Sequence, residues 1–216
     1  VVFDSSVASE FLDIAAASVK ADHVLKNKSL FAGMLGEQVA ADCVQVVDDG
    51  RLERGIYATP FDGEGIPTRD TSIIEDGILK SYLHSVYTAG KMKAGVTGNG
   101  MRGSYSGLPE VGTTNLYLKN GDKTPEDIFA ECGDGFLVTS AMGVHTANPI
   151  SGDFSVGASG LWIEGGKPGR PVRGVTIAGN IKELLKSITT IGNDLRFFGS
   201  CGSPSILVSS LMVSGE

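Results

Sequence analysis

Three histidines, three cysteines and a set of acidic residues in glycine turns are the side chains of this 216-residue chain from which a catalytic site could be drawn. A zinc peptidase helix needs two histidines one turn apart, so that both face one metal, with a glutamate beside them to activate water. His23, His84 and His145 are isolated from one another, and no local spacing builds such a site. His84 lies in a strand-like segment and reads as structural or exposed. His145, in "MGVHTANPISGD", sits among glycines on a loop, the kind of segment that carries function. Cys43, Cys132 and Cys201 are far apart, odd in number and in no C-x-x-C arrangement, which suggests neither a disulfide framework nor a zinc knuckle and fits a reducing compartment. Asp62 and Glu64 in "FDGEG", with Asp153 in "GDFS", could supply an acid pair, although acids in glycine turns more often cap the backbone.

Other motifs fail on context. Gly98-Asn99-Gly100-Met101-Arg102-Gly103 spells G-x-G-x-x-G, which binds a pyrophosphate only when a strand leads into it and a helix starts inside it. Upstream, "AGKMKAGVT" has no β-branched run; downstream, Gly107, Pro109 and Gly112 would break a helix. The stretch therefore reads as a glycine-rich turn. "GSYSG" resembles a nucleophile elbow but has Tyr105 where serine is required, and "GLWIEGGK" has Leu161 and Pro168 where a P-loop needs glycine and a hydroxyl.

The elements that must position these residues follow from the turns. Thirty glycines suggest many strands and tight turns, with helices the minority. Asp76-Gly77 predicts a hairpin joining Ser72–Glu75 to Ile78–Leu83, and residues 164–169 join a run ending at Ile163 to one resuming at Val172. "CVQVVDD", "TTNLYLK", "GFLVTSA" and "SILVSSLMV" read as further strands. Helices are expected over Ser5–Val19, capped by Asp4 or Ser5, from Thr124-Pro125-Glu126-Asp127, and from Asn180 through "IKELLKSITTI" to Gly192-Asn193. The fold class is thus α+β, mainly antiparallel, with a barrel-like or sandwich core and a few peripheral helices. A net charge of −7 argues against direct nucleic-acid binding, and no apolar run approaches a membrane span, so the expected location is the cytoplasm. The chain begins "VVFDSS", already in folded-type sequence, as a piece of a longer protein would.

Longer blocks carry a resemblance. "RGIYATPFDGEG", "TRDTSIIEDGILKSYL", "TGNGMRGSYSGLPEVGTTNLYLKNGDKTPEDIF", "SGDFSVGASGLWIEGGKPGRPVRGVTIAGNIKELLKSITTIGNDL" and "GSPSILVSSLMVSG" resemble, in order, the C-terminal half of the PmbA/TldD family across residues 1–216. In that light "TGNGMRG" is similar to the family's T-G-N-x-x-R turn. The resemblance implies a cytoplasmic protein of a group described as modulators of DNA gyrase and implicated in peptide maturation and antitoxin degradation. Its working unit is a heterodimer in which a TldD-type chain carries an H-E-x-x-x-H helix and a metal-binding cysteine, while the PmbA (TldE) type lacks them. Where that helix would fall, this sequence reads "VVFDSSVASEFLDIAAASV" without a histidine, and Cys201 has no C-G-K context. The resemblance therefore implies the PmbA type, with no cofactor in this chain and zinc only in a TldD-like partner. The implied partners are a TldD-like subunit or a second copy, and an unfolded peptide held in a groove, with Asn99, Arg102, His145 and Asp153 as groove candidates. The alternative is a non-enzymatic, self-associating binding or scaffold protein. The family's N-terminal half has no counterpart in this sequence.

Overall fold

A computed structural model describes residues 1–215. In chain order the strands are β1 (Val2–Phe3), β2 (Val46–Asp49), β3 (Asp70–Glu75), β4 (Ile78–Leu79), β5 (Gly100–Met101), β6 (Glu110–Val111), β7 (Leu116–Leu118), β8 (Gly135–Met142), β9 (Asp153–Glu164), β10 (Lys167–Asn180), β11 (Ile188–Ile191), β12 (Arg196–Phe198), β13 (Cys201–Ser203), β14 (Ile206–Val208) and β15 (Met212–Ser214). The helices are α1 (Ser5–Ala16), α2 (Ala21–Leu25), α3 (Val86–Met92), α4 (Pro125–Cys132) and α5 (Ile181–Lys186). A seven-stranded sheet runs β11-β14-β1-β8-β9-β10-β15, a six-stranded sheet runs β12-β13-β7-β2-β3-β4, and β5 pairs with β6 alone. Neighbours are antiparallel except β1 with β8 and β7 with β13, so the fold is α+β and mainly antiparallel, as expected.

The turns were readable because their backbone conformations demand particular residues. Asp76 and Gly77 adopt φ +51° and +73°, the left-handed pair of a two-residue hairpin turn between β3 and β4. Gly165 and Gly166 do the same, at φ +54° and +77°, between β9 and β10. That second turn is tighter than expected: β10 already begins at Lys167, and its pairing with β9 shifts register between Pro168 and Pro171 and again between Val172 and Val175.

Helix α1 starts where its cap dictates, with Asp4 Oδ1 accepting from the Val7 backbone N–H at 2.9 Å. It ends at Ala16 and tightens into a 3-10 turn over Ala17–Val19, short of the single helix expected to Val19. Nor is it peripheral. Eight of its twelve residues are buried, and it packs against β1 and β8 of one sheet and β7, β12 and β13 of the other. Ala8, Ser9, Ala15 and Ala16 permit that approach, while Phe11 stacks on Phe3 and meets Phe154 edge-to-face. The third expected helix is cut short: α5 stops at Lys186, and Ile188-Thr189-Thr190-Ile191 forms β11 instead. Four β-branched residues in a row favour a pleated strand over a helix. Among the described residues no helix is long and apolar enough to cross a membrane.

Candidate functional site

Two loop regions carry Asn99, Arg102 and His145. The first is a polar cluster where β2 meets the 97–115 segment. Asp48, 1% exposed, ends the apolar part of β2, and its carboxylate accepts from Asn99 Nδ2 at 2.7 Å, Thr114 N at 2.7 Å and Thr114 Oγ1 at 2.8 Å. Burial pushes this carboxyl above the usual aspartate range, against the opposing pull of those three donors. Asn99 gives its second amide hydrogen to the Gly112 carbonyl at 2.9 Å, so both are used inside the fold and the side chain faces no solvent.

Asp62 and Glu64 cap backbone rather than pair. Asp62 accepts from the N–H groups of Glu64, Ile66 and Gly100, and Glu64 from that of Val86, the first residue of α3. Arg102 is exposed and staples its own loop, donating from Nε to Gly63 O at 2.7 Å and from its guanidinium to Gly107 O at 2.5 Å. The G-x-G-x-x-G stretch here enters β5 and its hairpin with β6, and no helix follows it. Gly98 serves close packing: it has φ +79°, and a Cβ there would lie 2.7 Å from the Pro67 carbonyl oxygen.

The second region is a cleft of about 410 Å³ between the solvent side of α1 and the β8–β9 connection. It is lined by Glu10, Asp13 and Ile14 from the helix and by Ala141, Gly143, Val144 and His145 opposite. His145 sits in a 3-10 turn (Val144–Thr146) entered through Gly143 at φ +85°, and it is exposed. Asp153, at the start of β9, stands apart from this cleft. Its Oδ1 accepts from Asn180 Nδ2 at 2.8 Å, tying the two ends of the β9–β10 hairpin, and that bond and the Ser151 hydroxyl hold its carboxyl below the usual range. Asn99 and Arg102 thus share one loop cluster, His145 has the α1 cleft, and Asp153 is separate from both. Glu10 and Asp13 were missed from sequence; their i, i+3 spacing was the available signal, but it marks any solvated helix face as well.

Whether α1 and its neighbours fit a peptidase zinc can be tested on their chemistry. The helix supplies no imidazole, and the thiol nearest to it is Cys201 on β13. Cys201 Sγ donates to Ser9 O at 3.5 Å while Ser9 Oγ donates back to Cys201 O at 3.1 Å, locking helix to strand. Burial pushes the thiol up to about 12, and its hydrogen bond is given to the Ser9 carbonyl. Glu10, Asp13 and His145 are drawn together by the cleft, but among the described residues no three His, Cys, Asp or Glu side chains converge closely enough to hold an ion. The donor set does not fit a catalytic zinc.

A seven-stranded and a six-stranded sheet packed on one largely buried helix define a helix-cored β architecture. The chain belongs to the PmbA/TldA metallopeptidase family: the model of that family's C-terminal domain matches residues 1–215. It is 31% identical to the Escherichia coli metalloprotease PmbA over 216 residues, all of this chain and 46% of that protein. It is 38% identical to an Archaeoglobus fulgidus metalloprotease over 212 residues, 96% of this chain and 48% of the other. Among solved structures, TldE from Thermococcus kodakarensis superposes with a TM-score of 0.88 at 27% identity, covering 99% of this chain and 49% of that one. A Thermotoga maritima protein named as a candidate modulator of a DNA gyrase gives 0.92 at 36%, with coverage of 99% and 49%. The chain spans about half the length of each of these relatives.

Proposed function

We propose that this chain is the C-terminal part of a PmbA (TldE)-type subunit that contributes no metal of its own and serves a metallopeptidase assembly by holding an unfolded peptide. The observation that carries this reading is the α1 cleft. At the helix where a metal-bearing chain of this family would need imidazoles, this chain presents Glu10, Asp13 and Ile14 across from His145, while the buried Cys201 is tied to Ser9. Such a cleft can recognise an extended chain through hydrogen bonds and an apolar contact, without polarising its carbonyl for attack. The metalloprotease names of the relatives support proteolysis as the business of the assembly. In this reading catalysis and zinc reside in a TldD-like partner, the complex works in the cytoplasm, and His145 orients the peptide. Arg102 acts indirectly by holding the 104–107 loop, and Asn99 and Asp153 secure the scaffold.

The test is cleavage of casein and of a synthetic unstructured peptide by the protein mixed with a TldD-type relative. His145→Ala should raise KM several-fold with kcat and Tm unchanged. Unaltered KM would remove His145 from the peptide path, and cleavage independent of the added protein would remove the subunit role.

A further inference from the structure

A second cleft, of about 490 Å³, shares no residue with the α1 cleft and has features of a built binding site. It opens beside the first half of β3. Strand β2 pairs with β3 from Asp70 onward, but β4 pairs only with Ile74 and Glu75, so Asp70–Ser72 have no strand partner on the side turned away from β2. Thr71 lines this cleft, is 8% exposed, and its Oγ1 has no hydrogen-bond partner among the described residues. A buried hydroxyl left unpaired costs about 1–3 kcal/mol, and valine would fill the same volume in a strand without that penalty. The hydroxyl is therefore an expense the fold itself does not require.

His84 stands in the same cleft, 4% exposed. Its backbone is clamped by Thr97 Oγ1, which accepts from His84 N at 2.7 Å and donates to His84 O at 3.1 Å. Its Nδ1 lies 3.3 Å from Thr88 Oγ1, which leaves Nε2 as the ring atom without a partner among the described residues. At the rim stand Arg69, in no ion pair among the described residues, and Lys80, 4.0 Å from Glu75. Asp70 is the one carboxylate in the lining and Glu75 offsets Lys80 from outside it, so the guanidinium of Arg69 is the one cation there in no ion pair among the described residues. That matches a monoanion and disfavours a phosphate dianion. Leu35 and Met92 supply apolar wall beside the polar groups.

We propose that this cleft binds a carboxylate-bearing ligand, the carboxylate accepting from the Thr71 hydroxyl and the His84 ring and facing the Arg69 guanidinium, with an aliphatic portion against Leu35 and Met92. Two sources share this chemistry, a small organic acid and the free C-terminus of a peptide. The experiment is calorimetric titration of the protein with acetyl-leucine, an acetylated tripeptide with a free C-terminus, the same tripeptide as its carboxamide, and inorganic phosphate. The His84 ring is followed by NMR in parallel.

Saturable binding of the carboxylates with a shift of the His84 ring is expected, the tripeptide tighter if a peptide end is the ligand and acetyl-leucine at least as tight if a small acid is. Thr71→Val should weaken binding about tenfold or more, the loss of one hydrogen bond to a charged group, while leaving Tm equal or higher. Arg69→Ala, at an exposed position, should weaken it without altering the fold. Equal binding of the carboxamide, tighter binding of phosphate, unchanged affinity in Thr71→Val, or no saturation by about 10 mM would each overturn the proposal.

Discussion

Replacing Asn99 by alanine tests whether the glycine-rich turn is held by the buried Asp48 network. The substitution removes the 2.7 Å bond to the Asp48 carboxylate and the 2.9 Å bond to the Gly112 carbonyl, both in a region shielded from water. A hydrogen bond to a charged group is worth about 1.5–3 kcal/mol and an orphaned carbonyl adds about 1, so the expected loss is about 3 kcal/mol. In a chain of this length each kcal/mol moves Tm by about 2–4 °C, which places the fall near about 9 °C.

The pH dependence has a definite sign. Burial already raises the Asp48 carboxyl in the folded state, and losing Asn99 raises it further. A carboxyl whose folded pKa exceeds its unfolded one favours folding as pH falls through the folded value, so the penalty should be largest at neutral pH and shrink on acidification. Thermal unfolding followed by circular dichroism at about pH 7.5 and about pH 5 reads both effects. A Tm within about 2 °C of wild type, or an equal fall at both pH values, would refute the reasoning.

Gly98→Ala should destabilise by at least about 2 kcal/mol, because φ +79° is strained for alanine and its Cβ would meet two backbone atoms, Pro67 O at 2.7 Å and Thr68 Cα at 2.9 Å. Urea denaturation measures it. Thr124→Ala should lower Tm by a few degrees at neutral pH by breaking the reciprocal cap with Asp127. The backbone N–H and then the hydroxyl of Thr124 hold Asp127 below the usual range; alanine keeps the first and loses the second. The hydroxyl's share is therefore present at neutral pH and is lost as pH falls through the folded value. The gap between the two proteins should narrow in acid without closing, because the Asp127 N–H has lost its acceptor at every pH. A thiol reagent at mildly alkaline pH should label exposed Cys43 in the native protein and Cys201 only after unfolding, with peptide mapping by mass spectrometry to tell them apart.

What the sequence disclosed was local. Caps and tight turns depend on a few adjacent residues with conformational requirements of their own. Asp4 and Thr124 therefore marked helix starts, and Asp76-Gly77 marked a hairpin. Helix α3 was missed because seven residues containing Gly90 show no apolar stripe; its capping box of Ser85 and Thr88 was the available clue. The central place of α1 was hidden because an alanine- and serine-rich face reads the same on a surface helix as on one gripped between two sheets.

The interactions that define the sites are long-range. Asp48 meets Asn99 and Thr114 across 51 and 66 residues, and Ser9 meets Cys201 across 192. No spacing rule links such pairs, which is why Asn99 was read as a groove residue while the carboxylate it serves went unnoticed. The orphaned hydroxyl of Thr71 is likewise visible only once its surroundings are in place.

The most direct test of the central claim is to measure zinc and peptide cleavage for the purified protein alone and after mixing with a TldD-type relative. The account predicts no stoichiometric zinc and no cleavage by the protein alone, with both present in the mixed complex. One zinc per chain together with casein cleavage by the protein alone would contradict it.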